Sequence, residues 1–384
     1  MPGIGAATEP EWSLLLAACA SDHRKERLPA LLQSPLRWDV VLDLADRHGV
    51  EPLLYQALSD FKTLIPPEHF NFLAQKYQTN VHKALMLSRE LIRIVDELSA
   101  AGVEVMPYKG LALAEALYGD IALRQPGDID LLMRAGDLGK VRDVLTNLGF
   151  TQQLQWSPAE ERSYLKSGYE CVFDGAAGRN LLEVQWAIQP RFYAVDFDME
   201  QLFRRGVIVS VAGRPTKTPS LEDLFVILSL HAAKHVWGRL IWICDLARII
   251  GNTALDWNQI VTTANNLGIQ RIVRIAVLLA NRLLETPIPP PADTNIPQDQ
   301  AAAQIANEIE TYIQGDRTFD VESVAYFRLM LRLRERWQDR ARFASRLVFT
   351  AGPSEWKVVR LPEPLFPLYR IVRMTRLAAK LVRT

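Results

Sequence analysis

The chain has 384 residues, 49% of them hydrophobic, and 44 Lys and Arg balance 44 Asp and Glu; it can therefore bury a large core in two or three domains or layers, and it is neither a disordered segment nor a strongly basic nucleic-acid binder. Cys19, Cys171 and Cys244 are widely spaced and form no metal or redox motif, which suits a reducing compartment. Met1-Pro2-Gly3-Ile4 opens no basic leader with a long apolar run, and no segment reaches the roughly 18 apolar residues of a membrane span, so a cytoplasmic protein is expected.

Residues 10–100 carry a helical period, with a stop at His48-Gly49 and a restart at Pro52, a residue tolerated in a first turn. Strand patterns begin in residues 101–215. Val103-Glu104-Val105-Met106 reads as a short strand ending at Pro107, and residues 111–118 read as a helix that starts beside Gly110. A helix start offers free N–H groups and a positive dipole end, and glycine lets a phosphate approach the backbone. Lys109 adds a mobile charge and Arg124 a planar fork, both suited to phosphate oxygens.

Arg124-Gln125-Pro126-Gly127-Asp128-Ile129-Asp130-Leu131 follows. On a strand, alternate side chains share a face, so Asp128 and Asp130 project together while Ile129 and Leu131 enter the core. Two adjacent carboxylates call for a cation between them, and hard oxygen ligands on a rigid element suit Mg²⁺. Lys-Gly turn, helix, Arg and Asp-x-Asp strand together read as a site for a nucleoside triphosphate and Mg²⁺.

Downstream, residues 168–174 and 180–188 read as two strands around Gly175-Ala176-Ala177-Gly178, a hairpin pattern. Glu170 and Glu183 both lie within it. Leu182, Val184 and Trp186 share one face of the second strand, leaving Glu183 and Gln185 on the other.

After Thr218-Pro219-Ser220, where Ser220 and Asp223 resemble a capping box, a long helical tract begins within residues 216–285, a helical region expected to pack on the core. His231 and His235 are spaced i and i+4, a geometry that can hold zinc, but no third ligand is suitably placed. The two other readings are a polar stripe packed on the sheet layer, and a set of His231, Lys234 and His235 lining a cleft. Asp245 is expected to orient one of these or to pair with Arg248. Residues 286–300, with Thr286-Pro287-Ile288-Pro289-Pro290-Pro291, read as a stiff exposed linker.

Residues 321–384 hold 14 Lys and Arg against 5 Asp and Glu, leaving 30 against 39 in the preceding part, so a basic tail follows an acidic body. Arg370, Arg373, Arg376, Lys380 and Arg383 recur opposite Ile371, Met374, Leu377 and Leu381 in the C-terminal helical region, residues 301–384. Such a helix can grip RNA, an acidic peptide or an anionic membrane surface, or it can dock on the acidic body with its stems covering apolar area.

The run from Lys109-Gly110 through Arg124 to Asp128-Ile129-Asp130 resembles the signature of the DNA polymerase beta superfamily of nucleotidyltransferases, in particular its bacterial branch of uncharacterised nucleotidyltransferase family proteins. Arg47-His48-Gly49-Val50, Pro52-Leu53-Leu54, His231-Ala232-Ala233-Lys234-His235 and Asp245-Leu246-Ala247 are similar to flanking segments of that branch, and the resemblance extends over roughly residues 10–285. Two departures stand out: Leu111 follows Lys109-Gly110 where the superfamily has a second small residue, and Gln185 replaces a His in the run Leu182-Glu183-Val184-Gln185-Trp186. The resemblance singles out Glu183, rather than Glu170, as the third acid.

It implies an α/β fold, a small mixed-sheet nucleotidyltransferase core flanked by N- and C-terminal helical regions. It also implies transfer of a nucleoside monophosphate to a hydroxyl of a small molecule or peptide, with two Mg²⁺ ions, replaceable by Mn²⁺, held by Asp128, Asp130 and Glu183. Lys109, Gly110 and Arg124 would bind the triphosphate. The alternatives are a toxin-like enzyme that modifies transfer RNA or protein, and an inactive nucleotide-binding module.

Overall fold

A computed structural model describes residues 9–20, 26–175, 181–290, 299–315, 320 and 323–382. The fold is mostly helical, with one five-stranded mixed sheet and one two-stranded sheet. The main sheet consists of β1 (Met106–Pro107), β2 (Ile129–Leu132), β3 (Thr151–Gln152), β4 (Glu170–Asp174) and β5 (Leu181–Gln185), in the order β1-β2-β5-β4-β3. Only β2 and β5 run parallel. The strand expected over residues 103–106 is shorter than its pattern, because β2 offers ladder partners only to Met106 and Pro107. The expected hairpin forms as β4 and β5, and residues 176–178 of its Gly-rich turn lie outside the described residues.

Two buried clusters flank this sheet. Behind it, Ile129, Leu131, Leu182 and Val184 pack against Val141 and Leu145 of helix Leu138–Asn147 and against Ala84, Leu87, Leu91, Ile94 and Leu98 of helix Pro67–Ala100. Leu111 belongs to this cluster, which explains a large apolar residue after Gly110. In front, Met106, Tyr108 and Leu132 join an all-helical core built from the N-terminal helices and from Leu221–Lys234, Leu240–Ile250 and Gln270–Leu284. Gly49 ends helix Trp38–His48 in the left-handed conformation, as its Gly predicts, and Glu51–Leu58 restarts with Pro52 in its first turn.

Ser220 caps its helix by accepting the Asp223 N–H, while the Asp223 carboxylate holds Arg205 at 2.6 Å rather than completing a capping box. Of the Pro-rich stretch, the described residues 286–290 are only partly exposed: Thr286 and Pro289 are buried, and the Thr286 carbonyl accepts from Asn281 at 3.0 Å. Residues 291–298 lie outside the described residues.

Where the chain resumes, Asp299 caps helix Gln300–Gln314 through the Ala302 N–H and pairs with Arg271 at 3.0 Å and Arg274 at 2.9 Å. Burial alone would raise its carboxyl, but Arg271 and the Ala302 N–H hold it at about 2. A depressed carboxyl stabilises the fold above its unfolded value and loses that contribution as pH falls through the folded one. Asp299→Ala is therefore expected to cost about 2 kcal/mol at neutral pH, with the gap to the parent narrowing as pH drops from about 4 toward 2, read by urea unfolding across that range.

The C-terminal helix Tyr369–Val382 docks with Arg373 and Arg376 inward. Arg373 and Arg376 both pair with buried Glu355, and Arg373 Nε also donates to the Leu347 carbonyl at 2.6 Å. Of the readings open from the sequence, docking on an acidic part of the body is the one this packing matches, and the Arg373 guanidinium also lies 5.9 Å over the Phe192 ring. The buried Glu355 carboxylate draws these two arginines inward, and Ile371 and Met374 face out. The side chains of Lys380, Leu381 and Arg383 lie outside the described residues.

Candidate functional site

The acidic residues come together through strand register. Asp128 immediately precedes β2, Asp130 lies two residues on, and the parallel ladder sets Asp130 opposite Glu183 on β5. One ligand oxygen from each of the three lies within 4.8 Å of the others. Among the described residues no other group of three His, Cys, Asp or Glu side chains converges this way, so the expected third acid is the one that the geometry brings in. Glu170, its rival, stands one strand further out, opposite Gln185.

Gln185 acts as the hub of this face, a role the sequence did not reveal. It is buried, its oxygen accepts from Tyr108 Oη, and its Nε2 lies 3.0 Å from Glu183, 3.3 Å from Glu170 and 3.4 Å from Asp130. The tyrosine hydroxyl fixes which end of the amide meets the carboxylates. Lys109 Nζ completes the cluster at 3.0 Å from Asp130.

Burial pushes the Asp128 carboxyl up to about 6 and the Glu183 carboxyl up to about 8, and Asp130 beside both adds to the rise. Burial raises Glu170 too. Burial alone would disfavour the Lys109 ammonium, but Asp130 holds it above the usual lysine range. When all four carboxylates ionise, they carry two more charges than Lys109 and Lys234 balance. A divalent cation among Asp128, Asp130 and Glu183 fits this donor set, because it removes the mutual repulsion and accepts hard oxygen ligands.

The cluster forms part of the wall of a cavity of about 650 Å³, within the ~300–1,000 Å³ usual for small-molecule sites. Gly110 lies at the start of helix Gly110–Tyr118 with φ +53, and a Cβ there would sit 3.3 Å from the Asp128 carbonyl oxygen. The glycine thus serves the close approach of turn and strand as well as exposing N–H groups. Arg124 also lines the cavity, yet its Nε is held 3.1 Å from Asp245, a fully buried carboxylate that accepts from Tyr118 Oη at 2.7 Å as well. Asp245 therefore orients Arg124, and the expected pairing with Arg248 is replaced by stacking of that arginine on the Tyr118 ring at 4.2 Å.

His231, Lys234 and His235 all line the cavity. Lys234 Nζ donates to Tyr169 Oη at 3.0 Å, and burial pulls its amine down against the pull of Glu170. The two imidazoles lie 4.9 Å apart, each against Trp242. Burial, aided by Lys109 and Lys234, lowers both, His235 to about 4, so they are neutral at physiological pH. They form no part of the acidic cluster.

Lys76, Thr79, Asn80 and Lys83, which belong to no motif of the sequence, also reach the cavity from helix Pro67–Ala100. Their i, i+3, i+4, i+7 spacing was the available signal: a polar stripe continuing the line of an apolar one. Glu51 and Gln125, hydrogen-bonded to each other, line the same side, and Lys76 Nζ lies 3.6 Å from Glu51.

The chain belongs to the family described as uncharacterised nucleotidyltransferase, whose profile matches residues 34–285. That span contains every residue of the acidic cluster and of the cavity wall described above. No curated protein and no solved structure matches the chain.

Proposed function

From membership of that family and the geometry of the acidic cluster, we propose that the protein transfers a nucleoside monophosphate from a nucleoside triphosphate to a hydroxyl acceptor, a small molecule or a peptide. The observation that carries this reading is the convergence of Asp128, Asp130 and Glu183 within 4.8 Å in a cavity that also presents Lys109, Gly110 and Arg124. In the reaction the acceptor oxygen bonds to the α-phosphorus, the bond from that phosphorus to the bridging oxygen breaks, and pyrophosphate leaves. Divalent cations of the Mg²⁺ class, Mn²⁺ included, supply charge neutralisation at the reacting phosphate and acidify the attacking hydroxyl when bound.

The chain's own groups do the remaining work by positioning and electrostatics. The free N–H groups at the start of helix Gly110–Tyr118 and the Lys109 ammonium receive phosphate oxygens. Asp245 engages the Nε of Arg124, and its two terminal nitrogens make no hydrogen bond among the described residues, so they serve the triphosphate. Glu183, on the strand next to Asp130, accepts the acceptor's proton.

The test incubates the protein with each of the four α-labelled nucleoside triphosphates, Mg²⁺ and cell extract, alongside the Asp128→Asn, Asp130→Asn double variant. Label is expected to move into an acceptor, with pyrophosphate released, for the parent protein alone. Triphosphate binding without transfer for any nucleotide would sink the reading in favour of a binding module.

A further inference from the structure

The end of the chain carries a surface whose polarity is inverted. Leu365, Leu368, Ile371 and Met374 follow one another at three-residue spacing through the 3-10 turn Glu363–Leu368 and the helix that continues it, and they are 44, 43, 53 and 37% exposed. Side chains three apart stack on one side of a 3-10 turn and stay neighbours on an α-helix, so these four form a single ridge. Val358 and Val359 are exposed nearby in sequence. One exposed aliphatic residue is ordinary; an unbroken row of four marks a contact surface.

Cations accompany the ridge. Lys357, Arg360 and Arg370 are exposed, and their side chains make no hydrogen bond or ion pair among the described residues. The acids of this segment are already engaged: Glu355 by Arg373 and Arg376, Glu363 by Arg162 at 2.6 Å. The segment therefore presents aliphatic side chains and uncompensated positive charge together.

We propose that this ridge docks the protein on the anionic surface of a phospholipid bilayer, its aliphatic side chains entering the interface while Lys357, Arg360 and Arg370 meet lipid phosphates. Interfacial segments combine these two elements. A second copy of the chain fits less well, because a two-fold contact sets the patch against itself and brings its own cations face to face. Nucleic acid would use the cations but gain nothing from a ridge with no aromatic stacking surface. No helix among the described residues is long and apolar enough to cross a membrane, so the contact lies on the surface.

The test is sedimentation of the full chain with vesicles of phosphatidylcholine alone or mixed equally with phosphatidylglycerol. Binding is expected to the mixed vesicles only and to weaken with salt. The Lys357→Gln, Arg360→Gln, Arg370→Gln variant should bind about 100-fold more weakly, and Leu368→Ser, Ile371→Ser, Met374→Ser at least about tenfold more weakly. Both sets lie on exposed positions, and unchanged circular dichroism and melting verify their fold. Failure to sediment with the mixed vesicles, equal sedimentation with phosphatidylcholine, or parent-like binding by both variants would overturn the proposal. So would a dimer in light scattering that the serine variant loses, or an RNA complex that only the glutamine variant loses.

Discussion

Asp130→Asn is expected to reduce nucleotide-dependent pyrophosphate release by at least about 10³-fold, equivalent to roughly 4 kcal/mol of transition-state stabilisation. Asp130 has the tightest connections of the three acids: it lies opposite Glu183 in the ladder, two residues from Asp128, and 3.0 Å from Lys109. An amide of the same shape keeps the packing but removes a hard anionic ligand. Stability without added metal should move far less, since Lys109 still faces Asp128, Glu170 and Glu183. The discriminating readout is thermal. Mn²⁺ or Mg²⁺ should raise the melting temperature of the parent protein by mass action on the folded state and leave the variant unmoved. A variant that retains both activity and metal-dependent stabilisation would remove Asp130 from the site.

Asp245→Asn is expected to be the most damaging single change to the fold around the cavity. The Asp245 carboxylate is fully buried and compensates Arg124, which is itself nearly buried, while also accepting the Tyr118 hydroxyl. Breaking such a pair leaves a charge without compensation in the interior and costs about 3–5 kcal/mol. Replacing both partners by apolar residues of similar size, Arg124→Met with Asp245→Leu, should recover part of that loss, the Tyr118 hydroxyl being left without its acceptor. Urea unfolding of the two single variants and the double variant measures the coupling. The double variant should still bind triphosphate poorly by calorimetry, because the fork is gone. Recovery of stability without loss of triphosphate binding would leave Arg124 a purely structural role.

How much of this could be read in the chain depends on the distance over which each feature is decided. The pairing of Asp128 with Asp130 follows from the two-residue alternation of one strand, and the helix start at Gly110 from a local turn. The choice of Glu183 over Glu170 depends on how β5 registers against β2, about fifty residues away, and no local pattern fixes a parallel register. Resemblance supplied that answer where periodicity could not. The partner of Asp245 lies 121 residues upstream, beyond any helix-spacing argument. The C-terminal helix shows the same limit in another form. Its period divides cations from apolar residues correctly, but which side turns inward is decided by Glu355, a buried carboxylate on the short helix Pro353–Trp356.

Helix Pro67–Ala100 has a mechanical consequence. At 34 residues it is a rod about 50 Å long. Leu73 near its first turns belongs to the helical core, Ala84 to Leu98 belong to the core behind the sheet, and the cavity-facing Lys76 and Lys83 fall between. No proline interrupts it after its first residue, so bending it there would break intrahelical hydrogen bonds. The two cores are thus riveted to one beam, and a substrate cannot be enclosed by swinging one against the other about that point. Adjustment to a nucleotide must come from side chains such as Lys76 and Lys83, and small-angle scattering should give the same radius of gyration with and without triphosphate. A measurable contraction would mean that the beam flexes after all.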